Sequence, residues 1–225
     1  STAISGVLLP RVTEMEEKKA SDKEFTDIFI KTGRIQFIVM ALIMSGFVLF
    51  GREFINILWV GSEYDQSYFI ACILMIPSTV PLIQNVGLNI LQAKNKYKFR
   101  VMVLFAFAIL NVIVSIILAQ IYGGIGAAIG TALSNILGQI IFMNIFYYKK
   151  IKIDIPLFWK NIFKMSIPML IAILIAIILK QVWTINSSLI LIIQIVIYTI
   201  IYGILVWKKS MKKKKKNMVK RIIKR

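Results

Sequence analysis

The sequence predicts an all-α protein, a polytopic membrane helical bundle with about six transmembrane helices. Three observations carry this prediction: long apolar runs, alternating charge in the loops between them, and aromatic residues at their ends. The apolar runs cover 35–50, 68–91, 101–121, 125–148, 162–179 and 189–207. Each approaches or exceeds the roughly 17–25 residues that a helix needs to cross a hydrocarbon core of about 30 Å. A soluble protein of this size would not carry six such runs.

The loop charges predict the orientation. The segment before the first run, the loops after the second and fourth runs, and the tail are rich in Lys and Arg, whereas the other loops carry few cations. Because cations are retained on the cytoplasmic side of a membrane, we expect both ends of this segment to be cytoplasmic. The richness in Ile, Lys and Asn is typical of a low-GC bacterial genome. The expected location is a bacterial cytoplasmic membrane.

The same pattern divides the chain into five parts. We expect the end of a helix plus a cytoplasmic amphipathic segment over 1–34, and a four-helix transmembrane unit over 35–148. A cytoplasmic linker over 149–161, a transmembrane hairpin over 162–207 and a basic cytoplasmic tail over 208–225 follow. Within the first part, 11–31 predicts one amphipathic helix along the membrane surface. The opening residues are typical of a helix already under way, so we expect a carboxy-terminal portion of a longer protein.

Composition excludes several classes of function. The net charge of +18 lies in juxtamembrane loops and in the tail, where topology explains it, so we expect no nucleic-acid partner. The lysine run 212–216 instead predicts contact with anionic lipids. There is no His, and Cys72 is the one cysteine, so we expect no metal site and no cofactor. No set of nucleophile and base is visible, which argues against an enzyme. The predicted spans contain no deep Asp or Glu, and hence no visible ion-coupling site.

The second run is the most polar. It contains Pro77 and Pro81, which remove backbone donors and bend a helix. Four amide side chains follow, and three of them share one helical face through i, i+4 and i+7 spacing: Gln84, Asn85, Asn89 and Gln92. Two interpretations stay open. The amides line a hydrated cavity on a bent helix, or they form hydrogen bonds between helices that only hold the bundle together.

The fourth run carries a small residue at every fourth position. The residues of this ladder are Gly126, Gly130, Ser134 and Gly138. Small residues let two helix backbones approach closely in lipid, so the ladder predicts a helix-packing face.

Three stretches together resemble a known family. They are PSTVPLIQNVGLNILQAKNK at 77–96, YGGIGAAIGTALSN at 122–135 and GVLLPRVTEMEEKK at 6–19. Their order and spacing are similar to those of polysaccharide (O-antigen, Wzx-type) flippases of the MATE/MOP superfamily, which also includes MurJ-type lipid II flippases. The resemblance covers most of residues 1–150.

This resemblance implies the carboxy-terminal lobe of a MATE/MOP-like transporter, in which two helical lobes face a central cavity and work by alternating access. It implies transport of an undecaprenyl-diphosphate-linked oligosaccharide for surface polysaccharides such as O-antigen (of lipopolysaccharide) or capsule. Candidate substrate-path residues are the four amides Gln84, Asn85, Asn89 and Gln92, with Arg34 and Arg100 at the cytoplasmic mouth to capture the diphosphate. Further partners that it suggests are other membrane proteins of polysaccharide assembly.

Three alternatives remain at this point. A MATE-like cation-coupled exporter would show acids inside its spans. A membrane-embedded polysaccharide polymerase or acyltransferase would show a large outer loop or clustered Arg, His or Asp. A passive membrane anchor would have no need of a bent, amide-bearing helix.

Overall fold

The computed structural model describes residues 7–59, 61–185 and 187–210. Over these ranges the chain is all-α, as predicted, and no strand is present. The helices are α1 Leu9–Glu17, α2 Asp22–Glu53, α3 Asp65–Ile83, α4 Val86–Ala93, α5 Tyr97–Asn135, α6 Met143–Phe146, α7 Ile155–Val182 and α8 Ser188–Ser210. Three π-helical stretches, Phe54–Trp59, Ile136–Phe142 and Tyr147–Ile151, and one 3₁₀ turn, Ser62–Tyr64, connect them. The lysine run predicted to contact lipid, 212–216, lies outside the described residues.

Five helical segments of the described chain are long and apolar enough to cross a membrane, and they confirm the polytopic bundle. They are Asp22–Trp59, Asp65–Ile83, Tyr97–Ile151, Ile155–Val182 and Ser188–Lys208. The sequence predicts six spans, and the two counts differ because the third segment, Tyr97–Ile151, covers two of the predicted runs. That segment is 55 residues long and reverses direction at Gly123, where φ is 60° and ψ is −140°. A side chain is rarely tolerated at such a φ, so glycine suits the reversal.

The reversal makes an antiparallel hairpin, which we call the 97–151 hairpin, with an outgoing arm (97–122) and a returning arm (124–151). Contacts run along its whole length. Near the turn, the hydroxyl of Ser115 donates to the carbonyl oxygen of Ala127 at 3.2 Å. At the open end, the rings of Phe99 and Phe146 stack with centroids 3.8 Å apart. The two arms therefore pack directly against each other.

The amphipathic segment differs from the prediction. A single helix over 11–31 is wrong, because the chain breaks between α1 and α2. Lys19 has a left-handed φ of 52°, and Ser21 then begins α2 with a capping box. In this box the Ser21 backbone N–H donates to the Glu24 carboxylate at 2.8 Å, and the Glu24 N–H donates to the Ser21 hydroxyl at 3.4 Å. Such reciprocal bonds fix a helix start. From there α2 runs without interruption past residue 35, where the first apolar run begins.

Helix α2 is the centre of the bundle, since α3, α7 and α8 all pack against it. The rings of Phe29 and Phe158 meet edge to face, with centroids 4.9 Å apart. Further along, the hydroxyl of Tyr202 donates to the backbone oxygen of Ile38 at 2.8 Å. The terminal hairpin of α7 and α8 is thus packed along α2.

Two ion pairs join the far end of α2 to its neighbours. Arg52 binds Asp65 at the start of α3 through two hydrogen bonds of 2.6 and 2.7 Å. Lys180, near the end of α7, lies 2.6 Å from the carboxylate of Glu53. It also donates to the backbone oxygen of Leu49 at 2.7 Å. The last turns of α2 and α7 and the first turn of α3 are therefore held together by charge as well as by packing.

Candidate functional site

The candidate site is the interruption between α3 and α4, which we call the polar break. Two prolines, Pro77 and Pro81, lie inside α3, and the helix ends at Ile83. Proline has no backbone N–H and its ring crowds the preceding turn, so each proline removes one helical hydrogen bond and weakens the helix there. Gln84 has φ −100° and ψ 11°, outside the helical region, and α4 begins two residues later. The sequence predicted a bend in this region, and the structure shows a break in the helix at Gln84 and Asn85.

The carbonyl groups left open by the break are covered by α2. In the amide orientation that pairs donors with acceptors, the Gln36 side-chain nitrogen lies 3.1 Å from the oxygen of Leu82 and 3.0 Å from that of Ile83. Gln36 is 1% exposed, so these bonds are shielded from water. Gly33, one turn earlier, lets α2 come close, because a Cβ there would lie 2.9 Å from the Ile83 oxygen. A buried carbonyl without a donor is costly, so Gln36 stabilises the break.

The returning arm of the 97–151 hairpin covers the other side. The amide nitrogen of Gln84 donates to the side-chain oxygen of Asn144 at 2.8 Å. A Cβ added to Gly87 of α4 would lie only 2.5 Å from the hydroxyl oxygen of Tyr147. The break is therefore clasped between α2 and the returning arm.

The predicted substrate-path amides separate into two groups. Gln84, Asn85 and Asn89 are 3%, 8% and 6% exposed and lie together at the polar break, where Asn85 and Asn89 both have polar or electrostatic partners. Gln92, the last residue but one of α4, is exposed. It does not join the other three, although Leu91 beside it is fully buried.

The two predicted arginines lie on other elements. The Nε of Arg34 on α2 lies 3.0 Å from the sulfur of Met165 on α7. The guanidinium of Arg100, in the outgoing arm, donates to the side-chain oxygen of Gln139 at 3.2 Å. Both side chains are partly buried. In the described chain no carboxylate forms an ion pair with Arg100, so its charge is met there by a neutral amide.

Sequence reasoning missed two members of the polar break, Gln36 and Asn144. A signal for Gln36 exists, because Thr32 and Gln36 form a polar i, i+4 pair at the start of an apolar run. No equivalent signal marks Asn144, a single amide among apolar neighbours. Both become visible only when three elements meet.

The small-residue ladder lies on the returning arm and faces the outgoing arm. A Cβ on Gly126 would overlap the backbone oxygen of Leu118, and one on Gly130 would lie 2.5 Å from the hydroxyl of Ser115. A Cβ on Gly138 would lie 2.7 Å from the ring of Phe107. Ser134, the remaining member, is buried.

This chemistry suits a transporter. The described residues hold no group of three or more His, Cys, Asp or Glu able to bind a metal. What the site does offer is a proline-containing helix that ends at buried amides, directly after the candidate span Asp65–Ile83, with two arginines on neighbouring elements. Polar groups inside a membrane usually mark a path for a polar solute or an element that moves.

Comparison with known proteins gives one family. Residues 1–203 match the family model described as lipid II flippase MurJ. No curated protein and no solved structure matches the chain. The match confirms the resemblance to the flippase superfamily but gives no support to its O-antigen branch. The chain belongs to the family of the lipid II flippase MurJ, whose members are transporters of a lipid-linked precursor across a membrane and not enzymes.

Proposed function

We propose that this chain is part of a flippase that moves an undecaprenyl-diphosphate-linked saccharide from the cytoplasmic to the outer leaflet by alternating access. The match of residues 1–203 to the MurJ family carries this proposal. The first candidate for the substrate is lipid II, because it is the compound that the family description names. The second is the lipid-linked oligosaccharide of O-antigen or capsule synthesis, which the 77–96 motif favours.

The physics of the task fits the residues. A saccharide head group needs hydrogen-bonding partners through the membrane, whereas the polyprenyl tail can remain in lipid. We assign the first role to Gln84, Asn85 and Asn89, which become accessible when the helices around the polar break separate. Gln92 lies exposed at the end of α4 and extends the same path. Arg34 and Arg100 supply positive charge for the diphosphate, since guanidinium groups form strong paired bonds with phosphate oxygens.

The proposed setting is a bacterial cytoplasmic membrane with both ends of this segment in the cytoplasm. The basic tail would lie on anionic lipids there, and proteins of polysaccharide assembly are the proposed neighbours. A cysteine at Ser62 should then react with an impermeant thiol reagent added outside intact cells, and one at Asn95 should not. The reverse labelling pattern would contradict this orientation.

The experiment that tests the substrate path changes two amides in the full-length protein that contains this chain. Asn85→Leu with Asn89→Leu should reduce transport of the lipid-linked saccharide at least about tenfold, because the path loses hydrogen-bonding groups while the helix keeps its apolar packing. Gln120→Leu, an exposed amide of the outgoing arm, is the matched control and should leave transport unchanged. Membrane levels of each variant separate transport from folding. If the double variant is well expressed and transports normally, Asn85 and Asn89 do not line the substrate path and serve only in helix packing.

Two hosts distinguish the substrates. One is depleted of its own lipid II flippase, and the other lacks its O-antigen flippase. Rescue of growth in the first supports lipid II, and rescue of surface O-antigen in the second supports the oligosaccharide. If the protein is present in both membranes and rescues neither, the proposed function is wrong.

A further inference from the structure

Two lysine-rich segments that are about fifty residues apart in sequence meet at one end of the bundle. The ammonium of Lys96 donates to the backbone oxygen of Lys150 at 3.2 Å. Next to this bond, the stacked rings of Phe99 and Phe146 fix the start of the outgoing arm against the end of the returning arm. The exposed lysines brought together here are Lys96, Lys98, Lys149, Lys150 and Lys152, and we call them the lysine surface. The loop charges explain why each segment is basic but not why the two meet.

No acidic side chain of the described chain forms an ion pair with a lysine of the lysine surface. The ion pairs found there use Lys18, Arg52, Lys94 and Lys180, none of which belongs to it. The nearest acid in sequence is Asp154, whose carboxylate instead accepts the Leu157 N–H at 2.9 Å and begins α7. The first turn of α5, where Lys98 lies, has no acidic residue. Within the part of the chain that the structure describes, these five cations therefore share one surface and none of them is held in an ion pair.

The neighbours of this surface place it at the edge of the membrane. Tyr97 and Tyr148 flank it and are 39% and 53% exposed. Tyrosine is enriched where hydrocarbon gives way to headgroups. Beyond Tyr97 the outgoing arm exposes Met102 and Phe105, which are apolar and suit contact with acyl chains. The lysines thus have exposed tyrosines and an apolar surface directly beside them, as groups at headgroup level do.

We propose that the lysine surface binds the phosphate groups of anionic phospholipids in the adjoining leaflet. Lysine ammonium groups are compact charges with three donors each, and several of them around a phosphate attract it strongly near a membrane. The occupant is a phospholipid and not a free phosphate, because the exposed tyrosines and the apolar residues beyond them hold acyl chains. This goes beyond transport, since it assigns a lipid to exposed lysines that are not among the residues of the polar break.

The test uses the purified full-length protein and counts bound lipid by native mass spectrometry. Dioleoylphosphatidylglycerol is the anionic probe, and dioleoylphosphatidylcholine is the neutral one. The lysine-surface variant changes Lys98, Lys149, Lys150 and Lys152 to Gln, and keeps Lys96 because of its bond to the opposite loop. The control variant changes four other exposed lysines of the same predicted cytoplasmic side to Gln: Lys23, Lys31, Lys160 and Lys164.

The lysine-surface variant should bind phosphatidylglycerol about tenfold more weakly, whereas its affinity for phosphatidylcholine should not change. The control variant should behave like the wild type. A milder variant, Lys149→Gln with Lys150→Gln, should weaken binding about threefold and serves if the fourfold change disturbs folding. Wild-type affinity in both lysine-surface variants would overturn the proposal. So would equal weakening in the control, because binding would then follow total charge and not this surface.

Discussion

Helix α2 and the 97–151 hairpin solve the same problem, association within lipid, in different ways. In an apolar 18-residue stretch of Asp22–Trp59, the segment that contains α2, 33% of the residues are buried. In the corresponding stretch of the hairpin, 6% of the residues are buried. The buried face of α2 is also polar, with Thr26, Thr32, Gln36 and Ser45 among its covered residues. These side chains bond to neighbouring elements: the hydroxyl of Thr26 accepts the Asp154 N–H at 3.1 Å, and Ser45 meets the hydroxyl of Tyr198 at 2.5 Å.

The hairpin relies mainly on close approach. Its glycines admit the opposite arm, and one small polar group holds the centre, where Asn111 accepts from Ser115 at 2.7 Å and from Thr131 at 3.1 Å. Most of its remaining surface is exposed and apolar. Lipid supplies no hydrophobic force between helices, so a segment must use either tight packing or hydrogen bonds. Helix α2 therefore uses hydrogen bonds to hold several partner helices, whereas the hairpin uses small residues to hold its own two arms together.

The largest expected effect comes from the tightest contact of the hairpin. Gly126→Ala places a methyl group against the backbone oxygen of Leu118, which cannot move aside as a side chain would. We expect a loss of about 3 kcal/mol in the free energy of unfolding and a lower membrane level. Gly203→Ala on α8 is the control, because a Cβ there meets nothing within 4 Å. It should stabilise the helix by about 0.5–1 kcal/mol. Thermal unfolding in one detergent measures both, and equal melting temperatures would refute close packing as the basis of the hairpin.

A smaller effect is expected at the polar break. Gln36→Leu leaves the carbonyl oxygens of Leu82 and Ile83 without their donor, which should cost about 1–3 kcal/mol. Gln120→Leu in the outgoing arm removes an amide that is exposed, and should be neutral. Urea unfolding in mixed micelles compares the two variants. If Gln36→Leu is as stable as Gln120→Leu, hydrogen bonding by α2 does not hold the break.

The smallest expected effect lies at the far end of α2. Lys180→Met removes the partner of Glu53 and should cost about 1–2 kcal/mol, because both side chains are about a quarter exposed and partly screened. A double-mutant cycle with Glu53→Gln isolates the pair, since the second change should cost little once the first is made. The exposed pair of Lys18 and Glu14 on α1 is the comparison and should show no measurable coupling. Additive effects at Lys180 and Glu53 would mean that the ion pair does not join α7 to α2.

Several features of the fold were within reach of the sequence. Length and hydropathy predict each crossing segment, because a helix is the structure that satisfies every backbone group of a single segment inside lipid. The bend after Pro77 and Pro81 follows from proline chemistry. The boundary between α1 and α2 was missed, although Ser21 and Glu24 show the spacing of a capping box. The apolar residues are spaced as in one helix on both sides of this boundary, so hydrophobic periodicity predicts a single helix over 11–31.

Part of the candidate site was predictable as well. The amides of the second apolar run stand out by residue type, and their spacing brings three of them to one face. The partners of these amides do not stand out in the sequence. Gln36 and Asn144 are distant from the second run and reach the break only through helix packing. The exposure of Gln92 could not be predicted either, because its spacing places it on the helical face of Asn85 and Asn89, which are buried.

The sequence by itself determined that this chain is a helical membrane protein, where it bends, and that its superfamily is that of flippases. These properties are local, set by apolar length, proline positions and short motifs. Tertiary structure alone decided that α2 is the centre of the bundle, that Gln36 and Asn144 complete the polar break, and that the lysines of two loops form one surface. Such features depend on contacts between residues far apart in the chain, which no local pattern of residue types specifies.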